Sequence, residues 1–344
     1  MKAIKVLITG CGRHSRSLVQ SLKHNIDHRE VSVIGINSSA VNILRSDVDS
    51  FAIAPGIHED GYTDWLLDFC TQEKVDVILP YITAELPIAA ANREKLESGG
   101  AKVSVASVYT LGIANDKLHM AKRFREYMPL QTEVRSPEEI LSFARYAGYD
   151  TGTPLCCKLT DSCGGAGFAV LAEKRCFDIA SFNKIGVSRY ISISQLCEIA
   201  AHTDARIILQ EYVPGTDYSV CVLADHGTVK LMCGFAGYSM EYGAVTSGEI
   251  MRNDRAYEIA EHVTQSLALD GNACFDFIIR KTDGQPVLLE CNPRISATLP
   301  FVAEAGADLV YLRCKQLLGE PFDTDVQFRY GLKMVKYYEC FFYR

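Results

Sequence analysis

Apolar residues in the first hundred positions come in short continuous runs: AIKVLIT at 3–9, VSVIGIN at 31–37, VDVILPY at 75–81 and AKVSVAS at 101–107. Runs of this length, rich in β-branched residues, read as strands buried on both faces. The segments between them carry helical spacing, as at Leu18, Val19 and Leu22. Strand alternating with helix predicts a parallel sheet with helices on both faces. The turn Gly10-Cys11-Gly12 after the first run is half of a dinucleotide fingerprint. Ser15 occupies its third glycine position, and the second strand ends in Ile36-Asn37 with no acid for a ribose hydroxyl. A structural turn is the better reading there than a nicotinamide-dinucleotide site.

From about residue 112 the texture changes. Asn115 is placed to cap a helix through LHMAKRFREYM that stops before Pro129, and a second helix follows Ser136-Pro137 over 138–146. PLCCKLT and FAVLAE then read as antiparallel strands around the glycine-rich loop 161–167, DSCGGAG. Glycines there let backbone N–H groups approach a polyphosphate, though a flexible hairpin tip explains them equally. Lys158, just before the loop, favours phosphate. Residues 177–205 are polar with helical spacing, RIILQEY and DYSVCVLAD are strands around a Pro214-Gly215 bend, and Asp225-His226-Gly227 turns into VKLMCGFAG. Helices are expected over 254–268 and over 308–318, the latter closed by Gly319. The tail KMVKYYECFFYR is strand-like and aromatic, better suited to a last strand or a subunit contact than to base stacking.

The stretch 272–294 carries the most chemistry. ACFDFIIR and QPVLLECN form the arms of a β-hairpin with Thr282-Asp283-Gly284 at its tip. In that register Lys281 faces Gln285, Asp276 lies opposite Glu290, and Asn292 projects from the same face. A two-residue Asp283-Gly284 turn shifts the pairing by one and sends Asp276 to the other face. Two carboxylates directly opposite destabilise a strand pair, but with an amide oxygen they make the oxygen-only ligand set that Mg²⁺ accepts. An amphipathic hairpin with a hydrated polar face is the competing account. Arg294 adds a fixed cation just past the acids, where a phosphoryl oxygen would need one.

The 344 residues, 48% hydrophobic and 22% charged, can bury large cores and divide into two or three domains. A net charge of −7 argues against general nucleic-acid or membrane-surface binding. No apolar run reaches the length of a membrane span, and MKAIKVLITG starts a strand rather than a secretory signal, so a cytoplasmic location is expected. The thirteen cysteines lack CxxC spacing and fit buried free thiols in a reducing compartment.

DFII…VLLECNPR, KLTDSCGGAGF and LQEYVPGTDYSV, in their order along the chain, resemble the ATP-grasp superfamily, in particular its carbamoyl-phosphate-synthase-like and carboxylate–amine ligase branches. The resemblance spans nearly the whole chain. It implies an N-terminal parallel-sheet, Rossmann-like pre-ATP-grasp domain (1–111), a central region with the glycine-rich lid lobe (112–205) and a C-terminal lobe bearing the metal hairpin (206–344). Lys117, which spacing alone leaves as a solvated helix-face residue, resembles the first phosphate-binding lysine, and Lys158 the second. Gly164, Gly165 and Gly167 resemble the mobile loop over the phosphates. Gln210, Glu211, Tyr212 and Val213 resemble the inter-lobe hinge that pairs with adenine, and Asp217 the acid for the ribose hydroxyls. Asp276, Glu290 and Asn292 match the magnesium ligands, and Arg294 the arginine beside the transferred phosphoryl group.

The resemblance implies an ATP-dependent ligase that joins a small carboxylate to a small amine through an acyl phosphate, with Mg²⁺ (or Mn²⁺ in its place), acting on neither nucleic acid nor membrane, with a homodimer as the usual assembly. No protein nucleophile is needed; Cys163 in the loop and Cys291 between two ligands are the thiols to test. Thr298, Tyr238, Glu241 and Glu249 are candidates near the acceptor. Carbamoyl-phosphate synthases carry a second arginine three residues past the match to Arg294, where this chain has Ala297, which speaks against bicarbonate and ammonia. Carboxyphosphate chemistry, a nucleotide-binding subunit without turnover, and an oxidoreductase on the first domain remain the alternatives.

Overall fold

The computed structural model describes residues 1–39, 47–159, 167–172, 190–204, 206–241 and 244–337. Three sheets follow one another along the chain. The first is all parallel and takes β1 (Ile4–Thr9), β2 (Val31–Asn37), β3 (Ser50–Ile53), β4 (Val77–Pro80) and β5 (Lys102–Val103) in the order β3-β2-β1-β4-β5. The continuous apolar runs are buried on both faces, as the pattern requires, with Val6, Leu7, Ile8 and Leu79 fully enclosed. Gly10 closes β1 with φ +59, and a Cβ there would meet Ile82 Cγ2 at 2.8 Å, so the turn needs glycine for both torsion and space.

The second sheet holds β6 (Gln131–Val134), β7 (Leu155–Leu159), β8 (Ala169–Leu171), β9 (Tyr190–Ile191) and β10 (Ile207–Glu211) in the order β6-β10-β7-β8-β9. The helices Pro137–Tyr146 and Ile193–Ala201 cover it. Its apolar core, which includes Val134, Ile140, Leu155, Leu196 and Leu209, is drawn wholly from residues 130–209. The chain passes to the third sheet through Tyr212, Val213 and Pro214, and we place the lobe boundary there.

The third sheet is antiparallel: β11 (Gly215–Asp225), β12 (Thr228–Glu241), β13 (Ala244–Ile250), β14 (Gly271–Arg280), β15 (Pro286–Asn292) and β16 (Lys333–Val335), in the order β15-β14-β11-β12-β13-β16. Tyr218, Val220, Phe275 and Phe277 pack under the helices Asp254–Ser266 and Lys117–Arg123. On the opposite face Cys221, Phe235 and Cys274 share a core with Val6, Val33 and Leu79 of the first sheet and with the helix Leu309–Leu317. Ion pairs with a largely buried cation cross the same boundary. Arg29 pairs with Glu320 at 2.7 Å, and Lys315 with Asp27 at 2.6 Å. Within the C-terminal lobe Arg313, 1% exposed, takes both oxygens of Asp270 at 2.9 Å, and this pair reaches the first domain through Arg93 Nη1, 3.7 Å from Asp270 Oδ2, and through Ser104 Oγ, which accepts from Arg313 Nε at 3.3 Å. One-sided loss of such a pair leaves a buried charge unpaired, so these contacts lock the first and third sheets together.

Two helix starts differ from expectation in detail. Asp116, not Asn115, caps the helix Lys117–Arg123, accepting from the Leu118 and His119 N–H groups at 2.8 and 3.0 Å. Asn115 instead ends the preceding helix Val108–Ala114, and its backbone is helical. The tail past Tyr337 lies outside the described residues.

Candidate active site

The β14–β15 hairpin turns differently from the expected register. Arg280 N–H donates to Gln285 O and Gly284 N–H to Arg280 O, both at 2.9 Å, so 281–284 form a four-residue loop and Lys281 does not face Gln285. Asp283 holds this tip through the Gln285 N–H and the Arg280 guanidinium, both at 3.0 Å. Pairing then runs Ile279 to Pro286 and Phe277 to Leu288. An extra residue on β15, Leu289, forms a bulge that resets the ladder, so Asp276 lies opposite Glu290 after all.

The three expected ligands converge. Asn292 Nδ2 donates to Asp276 Oδ2 at 2.9 Å and to Glu290 Oε1 at 3.1 Å, bridging the two carboxylates. Ser219 on β11, directly across from Asp276, donates to Asp276 Oδ1 at 2.7 Å. Burial, together with the Glu290 charge, pushes the Asp276 carboxyl up to about 7, against the opposing pull of Ser219 and Arg294. Two acids forced together and partly desolvated, beside a carboxamide, form a donor set whose repulsion a hard divalent cation would offset.

Cations surround this set. Lys117 Nζ lies 3.8 Å from Glu290 Oε2. Lys158, on β7 opposite Ile208, belongs to the second lobe; burial pushes its ammonium below the usual lysine range, with the Lys117 charge acting in the same sense and Glu290 opposing it. Arg294 leaves the hairpin and turns toward the first domain: Nε donates to Thr83 Oγ1 at 2.9 Å and Nη1 to the Ile295 carbonyl at 3.0 Å. Its charge also faces Tyr81, whose hydroxyl burial pushes up to about 12 and which donates to His14 O at 3.0 Å. Residues from all three sheets thus meet at one place.

The remaining candidates fall around it. Glu211 N–H donates to Leu130 O and Tyr212 N–H to Pro154 O, each at 2.8 Å; Val213 N–H has no hydrogen-bond partner among the described residues. Gln210 is buried, and its side chain donates to Glu211 O at 3.3 Å. Asp217 pairs across to Ile278 on β14 and, two residues from Ser219, shares the face that carries Asp276; burial raises its carboxyl. Gly167 has φ +68 and lies against Leu159, whereas Gly164, Gly165 and Cys163 lie outside the described residues. Cys291 is buried, and burial raises its thiol far above the reactive range. Tyr238 donates to Glu249 at 2.9 Å, Thr298 is buried, and the Glu241 side chain is outside the described set.

Ser219 and Thr83 escaped sequence reasoning. Ser219 had a signal, since it lies two residues from Asp217 on a strand that pairs with β14. Thr83 had none, because its partner stands 211 positions away. A further cluster, Asp225, His226 and Asp270, has ligand atoms within 4.8 Å of one another. Asp270 is already committed to Arg313 and lies 3.7 Å from Arg93 of the first domain.

Comparison with known proteins agrees with this architecture. Residues 203–340 match the family described as ATP-grasp in the biosynthetic pathway with Ter operon, and residues 6–104 match the PylC-like N-terminal domain. The chain is an ATP-grasp protein. It is 23% identical over 322 residues to the carbamoyl phosphate synthase large chain of Archaeoglobus fulgidus, covering 91% of this chain and 28% of that one. The chain spans about a quarter of the length of the curated relatives it matches. Among solved structures, this ATP-grasp protein resembles the biotin carboxylase domain of Hydrogenobacter thermophilus 2-oxoglutarate carboxylase, a dimer in complex with MgADP, ADP and bicarbonate (TM-score 0.66, 17% identity, 94% of this chain and 72% of that one). It also resembles the L-amino acid ligase of Bacillus licheniformis (TM-score 0.63, 13% identity, 94% and 78%). Among the described residues no helix is long and apolar enough to cross a membrane.

Proposed function

We propose that this protein uses ATP to activate a small carboxylate and joins it to an amine. The observation that carries the reading is the bridged set Asp276–Asn292–Glu290 on the third sheet, with Arg294 just past it, Lys158 from the second sheet and Lys117 from the helix Lys117–Arg123 around it. A carboxylate oxygen attacks the γ-phosphorus of ATP and the bond to ADP breaks, leaving an acyl phosphate. The amine nitrogen then attacks the acyl carbon, loses a proton, and phosphate leaves.

Asp276, Glu290 and the Asn292 amide, rotated to present its oxygen, would hold Mg²⁺. When bound, this ion neutralises charge on the phosphate oxygens. Lys117 and Lys158 orient the triphosphate from opposite lobes. Arg294, anchored on Thr83, stabilises negative charge on the transferred group and then on the acyl oxygen. The Val213 N–H and Asp217 are suited to the adenine and the ribose. An acyl phosphate hydrolyses in water, which gives the loop that ends at Gly167 its task as a cover.

A screen for ADP release over pooled amino acids and small carboxylates with Mg²⁺ tests the proposal. Release that depends on both a carboxylate and an amine supports it. A second reading, formation of carboxyphosphate from bicarbonate, draws on the likeness to the biotin carboxylase domain. ADP release stimulated by bicarbonate alone would favour it.

A further inference from the structure

Ser219 stands in the middle of β11, between Asp276 of β14 on one side and Phe235 of β12 on the other. It is 8% exposed in an otherwise apolar stretch, YSVCVL, and a buried hydroxyl needs a partner. Phe235 offers an apolar ring, packed against Phe301 at 5.8 Å, so the hydroxyl turns the other way and donates to Asp276 Oδ1 at 2.7 Å. Cys274, two residues before Asp276 on the same strand face, adds a weak S–H donor to that oxygen at 3.7 Å. The two oxygens of Asp276 are therefore unlike. Oδ1 is held from within the sheet. Oδ2 accepts from the Asn292 amide, which also holds Glu290 Oε1. When that amide rotates to present its oxygen, it releases Oδ2 and Oε1 together and leaves Oδ1 bound to Ser219.

Resting on the ligase reading above, we propose that Ser219 selects Mg²⁺ over Ca²⁺. It acts as a positioning residue: it does not touch the cation but keeps Asp276 to ligation through the single oxygen Oδ2. Mg²⁺ demands a near-ideal octahedron at short distance, which single carboxylate oxygens and water supply. Ca²⁺ is larger, takes about six to eight oxygens and readily grips a carboxylate through both of them. A carboxylate whose second oxygen is tied to a neighbouring hydroxyl denies Ca²⁺ that extra ligand. Removing the hydroxyl frees Oδ1. Mg²⁺ then loses a ligand fixed in the orientation it needs, while Ca²⁺ recovers the two-oxygen grip.

The test measures ADP binding by calorimetry in excess MgCl₂ and in excess CaCl₂ for the natural chain, Ser219→Ala and Ser219→Thr, with folding checked by circular dichroism. The ratio of the two dissociation constants reads metal preference and cancels a general loss of nucleotide affinity. The expected result is tighter binding with Mg²⁺ in the natural chain. That preference should fall about tenfold or more in Ser219→Ala and survive in Ser219→Thr, which keeps the hydroxyl. An unchanged ratio in Ser219→Ala overturns the proposal, as does a natural chain that binds ADP equally well with either ion. An equal loss in Ser219→Thr also overturns it, because the effect would then come from packing and not from the hydroxyl. The two readings separate cleanly. A ratio that depends on Ser219, without ADP release from any carboxylate and amine pair, sinks the ligase reading and leaves Ser219 the metal selector. ADP release from such a pair, with a ratio that Ser219→Ala leaves unchanged, sinks the Ser219 assignment and leaves the ligase.

Discussion

Arg294 Nε and Thr83 Oγ1 are joined by a 2.9 Å hydrogen bond that ties the end of the β14–β15 hairpin to the segment after β4 in the first domain. The guanidinium is thereby aimed by a residue that is not part of the nucleotide-binding lobes. A hydrogen bond to a charged group contributes about 1.5–3 kcal/mol, roughly 10- to 100-fold in rate if it acts in the transition state. Thr83→Val is expected to lower kcat for ADP release by about that factor while leaving ATP affinity unchanged, with Thr83→Ser restoring most of the loss. Steady-state kinetics together with nucleotide titration check this.

Asp276 makes the metal-free protein sensitive to pH. Its folded-state value of about 7 lies above the ordinary 3.8, so the folded chain keeps a proton that the unfolded chain gives up between those values. Stability of the metal-free protein should therefore fall as pH rises from about 4 to about 7 and level off above. Asp276→Asn should flatten that dependence, measured as Tm against pH. Under the proposed function a cation held by Asp276 would displace this proton, so Mg²⁺ affinity should drop about tenfold per pH unit below 7.

Glu290→Gln removes the charge opposite Asp276 and the partner of Lys117. ADP release should fall below detection, with folding preserved in circular dichroism and thermal melts. Retained turnover would take Glu290 out of the mechanism.

Lys158→Ala should weaken ATP binding about tenfold or more without unfolding the second lobe, because burial already disfavours the charged ammonium there. Unchanged nucleotide affinity would show the lysine to be structural.

Asp116→Ala strips the cap that starts the helix bearing Lys117. It should cost about 1 kcal/mol of stability and raise the KM for ATP, read from urea unfolding and kinetics.

The central strands β1, β2 and β4 of the first sheet were legible because they are buried on both faces and leave unbroken apolar runs, whereas the edge strand β3 is largely exposed and leaves none. Asp276 and Glu290 were placed opposite each other from a tip register that does not occur: the four-residue loop shifts the pairing by one, and the bulge at Leu289 shifts it back. Neither event has a pattern in an apolar stretch such as PVLLEC. Asn115 misled as a cap because Asn and Asp stand side by side there, and only the backbone shows which one leaves helical geometry. The anchoring of Arg294 by Thr83 depends on how two domains meet, and local spacing carries no trace of that.

The core that the first sheet shares with the third, reinforced by the Arg29–Glu320 and Lys315–Asp27 pairs, contrasts with the self-contained core of the second sheet. The first and third sheets therefore form one continuous block that carries Asp276, Glu290, Asn292 and Arg294, whereas the lobe bearing Lys158 keeps an interior of its own. Under the proposed function, that lobe could shift over the block without breaking a shared interior, so the four side chains would stay assembled while a substrate entered and left.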